Sequence, residues 1–159
     1  MIKSLIGFCS ALGAYATIKP RDMAPDFKNV NAVVGDAFDQ ISFSDFESKY
    51  LVRVFYPFDF TYVCPTELIA FSEAVPQFEE INAKILGVST DSHHTHLAWV
   101  KTPRTEGGLG KINFPLLADF SKDISRNYGV LVDDPQDNMY GAALRGIFII
   151  DDLGKIRSM

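Results

Sequence analysis

The most constraining feature of this sequence is a cysteine between a strand pattern and a helix pattern. Cys64 follows the mostly apolar residues 51–56 and precedes apolar residues at helical spacing. Pro65 suits the first helical position, because its missing N–H has no intrahelical partner there. The sequence therefore predicts Cys64 as the helix cap, with Thr66 and Glu67 in the first turn. Unsatisfied backbone N–H groups and the positive end of the helix dipole then favour the thiolate, the reactive form. The alternative is an inert, buried thiol, as most unpaired cysteines are.

Composition limits the other kinds of function. A chain of 159 residues suits a single domain with a substantial core. The net charge of −5 and the lack of a basic run disfavour binding to a nucleic-acid backbone. Two cysteines cannot make a disulfide framework or a four-thiolate zinc site. No apolar run is long enough to span a bilayer. We therefore expect a domain that uses no metal or cofactor and binds neither nucleic acid nor membrane.

Residues 1–22 are predicted to be a leader or targeting segment before a domain over residues 23–159. Within residues 1–16, one lysine and an apolar run that ends in a small-x-small pattern indicate a weak secretory signal. The lack of acidic residues in the same stretch also suits a mitochondrial presequence, and a weakly ordered leader is the third alternative. The compartment stays open, with cytoplasm and mitochondrion as the candidates. Cys9 lies in this segment, and we predict no role for it.

Strand and helix patterns alternate along the rest of the chain, which predicts an α/β sheet with helices on its faces. The runs at 51–56, 84–90 and 146–151 have the composition of central strands buried on both faces. Alternation predicts a hairpin around Gly35-Asp36, and a shorter strand is predicted at 114–118. A helix is predicted after Cys64, with an interruption at Pro76. Two more helices are predicted over residues 93–101, capped by Asp91-Ser92, and over residues 122–128, capped by Ser121. Ser44 is predicted to open a short helical turn.

Residues 55–67 resemble the signature of the peroxiredoxins, specifically the typical two-cysteine group. That family carries Pro-x-x-x-Thr-x-x-Cys, matched here by Pro57, Thr61 and Cys64 and followed by Pro-Thr-Glu. Further blocks resemble the group in the same order, at residues 91–99, 102–104, 107–110 and 143–151. The resemblance covers about residues 24–157 and implies a thioredoxin-like fold, with the closing C-terminal helix missing from this chain.

The resemblance also implies a reaction. Cys64 would reduce hydrogen peroxide and organic hydroperoxides and become a sulfenic acid. Thr61 would place a hydroxyl beside the sulfur, and Arg145 would stabilise both the thiolate and the peroxide oxygens. Pro57 would shield the pocket, and Glu67 would orient the arginine. The implied partners are thioredoxin or a small thiol as reductant and further copies of the chain in a homodimer or ring.

The sequence departs from the family pattern in three places. No resolving cysteine follows Cys64, and the closing helix with its second arginine is absent. Gly107, Gly108, Leu109 and Gly110 resemble half of the pair of motifs that makes eukaryotic members prone to overoxidation, and the Tyr-Phe half is missing. We therefore expect a truncated chain with reduced stability and impaired thioredoxin-linked turnover.

Four other interpretations follow from single features. His93 and His96 share a helix face and suggest a metal site, although no cysteine lies nearby in sequence. A Cys–His hydrolase would pair Cys64 with one of these histidines. A thioredoxin-type oxidoreductase needs a second cysteine where Glu67 stands. The best non-enzyme alternative is a chaperone-like or oligomer-modulating protein, with aromatic contacts from Phe58, Phe60 and Tyr62.

Overall fold

The computed structural model describes residues 18–159, which form a single seven-stranded sheet with helices on its faces. The strands are β1 (Val30–Val34), β2 (Ala37–Ile41), β3 (Tyr50–Phe55), β4 (Ala83–Ser89), β5 (Leu116–Ala118), β6 (Gly146–Ile150) and β7 (Ile156–Ser158). The helices are α1 (Cys64–Glu73), α2 (Val75–Glu80), α3 (His93–Lys101) and α4 (Asp123–Asn127), with 3-10 turns at Phe43–Phe46 and Arg104–Glu106. The strand order is β2-β1-β5-β4-β3-β6-β7.

The sheet is mixed, because β4 runs parallel to both β3 and β5 while the outer pairings are antiparallel. Helices cover the parallel centre, as parallel strands require. The predicted α/β class and thioredoxin-like arrangement are confirmed. The interruption predicted at Pro76 is also confirmed, since α1 ends at Glu73 and Pro76 lies in the first turn of α2.

The central strand β3 separates two apolar cores. Leu51 and Phe55 point into one core, while Val52 and Val54 point into the other, where Trp99 packs. Side chains alternate between the faces of a strand, so a strand buried on both sides must be apolar throughout. Each such side chain contributes about 1.5–3 kcal/mol when it is fully buried.

Arg53 is the exception within β3, and it is fully buried. Its guanidinium carbon lies 4.6 Å from the ring centroid of Tyr128, 4.9 Å from that of Phe27 and 5.4 Å from that of Phe43. Among the described residues, none offers its guanidinium nitrogens a hydrogen-bond acceptor. Burial lowers the pKa of Arg53 from its ordinary value. Three aromatic faces thus stand in for the carboxylate that a buried arginine normally requires.

Strand β6 differs from the predicted doubly buried strand. Phe148 and Ile150 are buried, but Ile147 is 47% exposed and Ile149 is 38% exposed. Ile147 lies opposite Val54, on the face that carries α1 and α2. Cross-strand partners share a sheet face, so the two helices cover this face over the centre of the sheet and leave it open at β6.

Two predicted boundaries shift because of capping. The turn predicted to open at Ser44 begins at Phe43, since Ser42 and Asp45 cap each other in a capping box. Helix α4 begins at Asp123, and Asp119 rather than Ser121 makes the shorter bonds to its first N–H groups, at 3.1 and 2.6 Å. The predicted hairpin around Gly35-Asp36 consists of β1 and β2, and the strand predicted from residue 114 begins at Leu116.

Residues 18–22 pack against the last strand. Ile18 is buried, and the Arg21 N–H donates to the Ile156 carbonyl at 2.7 Å. The predicted leader, including Cys9, otherwise lies outside the described residues, so its boundary remains a prediction. Between residues 18 and 159, no helix combines the length and hydropathy needed to cross a bilayer.

Candidate active site

Cys64 is the first residue of α1, and it is 1% exposed. The cap is Val63, so the prediction that Cys64 itself caps the helix was wrong by one position. The reason is local: the N–H and the hydroxyl of Thr66 both donate to the Val63 carbonyl, at 3.1 and 2.7 Å. Pro65 then occupies the second position, where its missing N–H also has no partner.

Arg145 makes the polar contact to the sulfur. Its Nη2 lies 3.4 Å from Cys64 Sγ, and its Nη1 donates to the carboxylate of Glu67. The side chains of Arg145 and Glu67 are 41% and 45% exposed. Glu67 engages one edge of the guanidinium, which leaves the other edge directed at the sulfur. A guanidinium in this place stabilises a thiolate and can donate to an oxygen beside it.

The sheet brings Arg145 to Cys64 across 81 residues of sequence. Phe55 at the end of β3 lies opposite Gly146 at the start of β6, so the loop to Cys64 departs beside Arg145. The Leu144 N–H donates to the Val130 carbonyl at 2.6 Å. This bond fixes the backbone directly before Arg145.

Pro57 and Thr61 lie in the loop between β3 and α1. Pro57 is buried two residues after the strand ends. The Thr61 hydroxyl donates to the Phe58 carbonyl at 3.1 Å, which leaves its oxygen lone pairs available as acceptors. Within residues 18–159, no hydrogen bond joins Thr61 to Cys64. The structure therefore brings Arg145 to the sulfur and Glu67 to Arg145, but it gives Thr61 no hydrogen bond to Cys64.

Sequence reasoning missed a buried polar cluster beneath this loop. His96 Nδ1 lies 2.7 Å from Asp59 Oδ2, and the Tyr56 hydroxyl donates to Asp59 Oδ1 at 2.9 Å. The Asp59 N–H donates to the Asp91 carboxylate at 3.0 Å. Burial raises the pKa of Asp59, although its bond to His96 opposes that rise. The sequence signal that could have revealed this cluster is Asp59, in the loop between β3 and α1, together with the polar residues that follow β4.

The histidines give no support to a metal site or a hydrolase. His96 is hydrogen-bonded to Asp59, and His93 and His94 meet Phe38 edge to face, with ring centroids 4.9 and 5.1 Å away. Among residues 18–159, no three metal-ligating side chains converge. None of the three histidines therefore acts as a base for Cys64.

Residues 107–110 pack against the end of α3. The Leu109 N–H donates to the Trp99 carbonyl at 2.9 Å, and the Trp99 indole donates to the Gly107 carbonyl at 3.3 Å. Gly108 is required, because a Cβ there would lie 1.9 Å from the Thr102 carbonyl oxygen. Trp99 in turn packs against Phe60, with ring centroids 6.2 Å apart. This segment thus lies behind the active-site loop and contacts it through one tryptophan.

The sequence matches a known protein family and several of its members. The AhpC/TSA family model matches residues 20–159. Mouse peroxiredoxin-2 is 54% identical over 136 residues, which cover 86% of this chain and 66% of the mouse protein. The bovine mitochondrial thioredoxin-dependent peroxide reductase is also 54% identical over 136 residues, which cover 86% of this chain but 51% of that protein. The chain therefore spans just under two thirds of one relative and about half of the other.

A solved structure shows the same fold. The reduced 2-Cys peroxiredoxin of Plasmodium vivax superposes with a TM-score of 0.80 at 43% sequence identity. The match covers 87% of this chain and 69% of the Plasmodium protein. Enterococcus faecalis AhpC gives a TM-score of 0.78 at 36% identity.

Proposed function

Because this chain belongs to the AhpC/TSA family, the peroxiredoxins, we propose that it is a thiol-dependent peroxidase for hydrogen peroxide and organic hydroperoxides. The observation that carries the proposal is the 3.4 Å contact between Arg145 Nη2 and Cys64 Sγ. It puts a fixed positive charge against a thiol at the first position of a helix. Both features favour the nucleophilic thiolate.

In the proposed reaction, the Cys64 thiolate attacks the terminal oxygen of the hydroperoxide. An S–O bond forms while the O–O bond breaks, so the sulfur loses two electrons and becomes a sulfenic acid. The leaving oxygen takes a proton and departs as water or an alcohol. Negative charge grows on that oxygen in the transition state, and the N–H groups of Arg145 are the fixed donors beside it. The free lone pairs of Thr61 suit the peroxide O–H as an acceptor.

The sulfenic acid must then be reduced. Two thiols from the reductant return Cys64 to the thiol, with one disulfide and one water as products. No cysteine follows Cys64 in this sequence, and we propose thioredoxin or a small thiol as the source of these electrons. The name of the bovine relative specifies thioredoxin for that protein. We also propose that the chain assembles as a homodimer or a higher ring.

The test is a stopped-flow measurement of peroxide consumption by the purified chain, with Cys64→Ser as the matched control. We expect rapid loss of one peroxide per thiol, a sulfenic acid trapped on Cys64 by a dimedone-type reagent, and continued turnover with added dithiothreitol. The Cys64→Ser chain should do none of these. A folded chain with no Cys64-dependent peroxide loss would contradict the proposal and favour the interaction protein, whose exposed aromatics are Phe58, Phe60 and Tyr62.

A further inference from the structure

One buried side chain anchors the loop before the reactive cysteine. Among residues 58–63, Asp59 is the buried one, at 6% exposed, whereas Tyr62 is 99% exposed. Three elements meet at Asp59: the Tyr56 hydroxyl from the end of β3, the His96 ring from α3, and the Asp91 carboxylate from the loop after β4. These polar contacts hold the loop together with the buried Pro57 and with Phe60, which packs against Trp99.

The hydrogen-bond acceptors around His96 indicate which of its ring nitrogens carry a hydrogen. Nε2 lies 3.3 Å from the Leu117 carbonyl, which can only accept, so Nε2 carries a hydrogen. Nδ1 lies 2.7 Å from Asp59 Oδ2, a distance that requires one proton between the two atoms. The Tyr56 hydroxyl keeps its hydrogen for Asp59, because burial raises its pKa well above the ordinary value. Every polar atom of the His96 ring is thus used, and the ring itself is 0% exposed.

The anchor is close to the reacting groups along the backbone. Phe58, directly before Asp59, supplies the carbonyl that orients the Thr61 hydroxyl. Phe60, directly after it, has φ 53°, a left-handed conformation that side chains adopt rarely and at a cost. A loop held in such a conformation relaxes when its anchor is removed. Relaxation here would move Thr61 and the hydroxyl that the Phe58 carbonyl orients.

We propose that His96 is a positioning residue for the peroxide step, acting through its bond to Asp59 to hold residues 57–63 in the reactive conformation. His96 touches no reacting atom, so its effect is on the geometry of Thr61 and not on the sulfur. The inference rests on the proposed peroxidase function. It also makes a separate claim about one hydrogen bond, which can be measured without any substrate.

The kinetic test compares two amide variants with one surface control. In His96→Asn the amide nitrogen takes the place of Nδ1 and keeps the bond to Asp59, whereas in His96→Gln it takes the place of Nε2 and loses that bond. We expect the rate constant for peroxide in His96→Asn to stay within about threefold of that of the unaltered chain. In His96→Gln the rate constant should be lower by about tenfold or more. His94→Gln, on the exposed side of the same helix, should leave the rate unchanged. Alkylation of Cys64 by iodoacetamide needs no ordered loop and should stay within about twofold in all three.

The spectroscopic test uses the unaltered chain, which avoids any failure of a variant to fold. Histidine-selective NMR should show hydrogens on both Nε2 and the Nδ1–Asp59 bond of His96, protected from exchange, and Asp59→Asn should shift the Nδ1 signal alone. A His96 whose Nε2 carries no hydrogen would overturn the inference. So would equal peroxide rates in His96→Gln, His96→Asn and the unaltered chain. If the unaltered chain shows no Cys64-dependent peroxide loss, the peroxidase proposal fails, and with it the positioning role, while the NMR result still decides the hydrogen bond.

Discussion

At the scale of single residues, Arg145 divides its guanidinium between a carboxylate and a sulfur. Glu67 holds one edge and Cys64 Sγ lies 3.4 Å from the other. Lysine cannot make both contacts, because its ammonium is a single point and not a planar fork. The arrangement therefore depends on arginine as such, and not on positive charge alone.

We expect Arg145→Lys to lower the rate constant for peroxide by about 10²-fold, the effect of removing one fixed donor from a developing oxyanion. Stopped-flow fluorescence of Trp99 or direct peroxide consumption measures this rate. Arg126→Lys is the matched control, since Arg126 pairs with Asp123 on the surface and should change nothing. If the rate constant of Arg145→Lys is lower by less than about threefold, Arg145 does not take part in the reaction as proposed.

Arg53 is the residue whose replacement should stabilise the fold. The aromatic rings around it give cation–π attraction, but the charge is desolvated and has no acceptor among the described residues. Replacing a buried charge with an apolar residue of similar length is often stabilising by about 1–4 kcal/mol. We expect Arg53→Met to raise the free energy of unfolding, measured by urea titration, by a corresponding amount, and the exposed Lys28→Met to change it by no more than about 0.5 kcal/mol. A lower midpoint in Arg53→Met would mean that the aromatic contacts outweigh the desolvation.

At the scale of elements, the turn between β6 and β7 depends on one carboxylate. Asp151 accepts from the N–H groups of Leu153 and Lys155, at 3.0 and 2.7 Å, and from Arg157 Nε at 2.6 Å. Burial pushes the pKa of Asp151 upward, but these three hydrogen bonds outweigh it and place the pKa below the ordinary value of 3.8. The ionised form is therefore the one that the folded chain prefers.

A carboxyl group whose pKa is lower in the folded state stabilises the fold above the pKa of the unfolded chain. That contribution is lost as the pH falls from about 3.8 through the lower folded pKa. We expect Asp151→Asn to cost about 1–2 kcal/mol at pH 7, a discounted value because Arg157 is half-exposed. The deficit should shrink as unfolding is measured toward pH 3. The exposed Asp152→Asn should show neither effect, and a deficit that is independent of pH would contradict the charged role of Asp151.

At the scale of the whole molecule, one apolar sheet face stays partly open. Beside β6, a groove of about 420 Å³ runs along α1 and α2, and its walls are mostly apolar. Its lining includes Phe71, Phe78 and Ile147 next to Arg145 and Glu67. Exposed apolar area of this kind favours self-association.

We expect Ile147→Thr to reduce the fluorescence of a bound hydrophobic dye and to slow aggregation on heating. The free energy of unfolding should change by no more than about 0.5 kcal/mol, because Ile147 is already 47% exposed. Leu153→Thr, at an exposed turn position away from the groove, is the control and should not change dye binding. Unchanged dye fluorescence in Ile147→Thr would show that the groove is closed in solution.

Local patterns in the sequence are enough to predict the order of strands and helices, the hairpin at Gly35 and the loop that leads to Cys64. Each of these depends on neighbouring residues, through apolar periodicity, caps and the conformational limits of proline and glycine. The α/β class followed from that order. The shifts near Cys64 and α4 arose where two residues compete to cap one helix, a choice that local pattern leaves open.

Which distant side chains meet depends on how the strands and helices pack together in three dimensions. The resemblance pointed to Arg145, but the pairing of β3 with β6 is what sets it against Cys64, and the packing of α3 sets His96 against Asp59. The exposure of Ile147 depends likewise on how far α1 and α2 extend over the sheet, and the surroundings of Arg53 depend on the packing of Phe27, Phe43 and Tyr128 against β3. These contacts join residues that are far apart in sequence, and their energies depend on burial, which neighbouring residues alone do not specify.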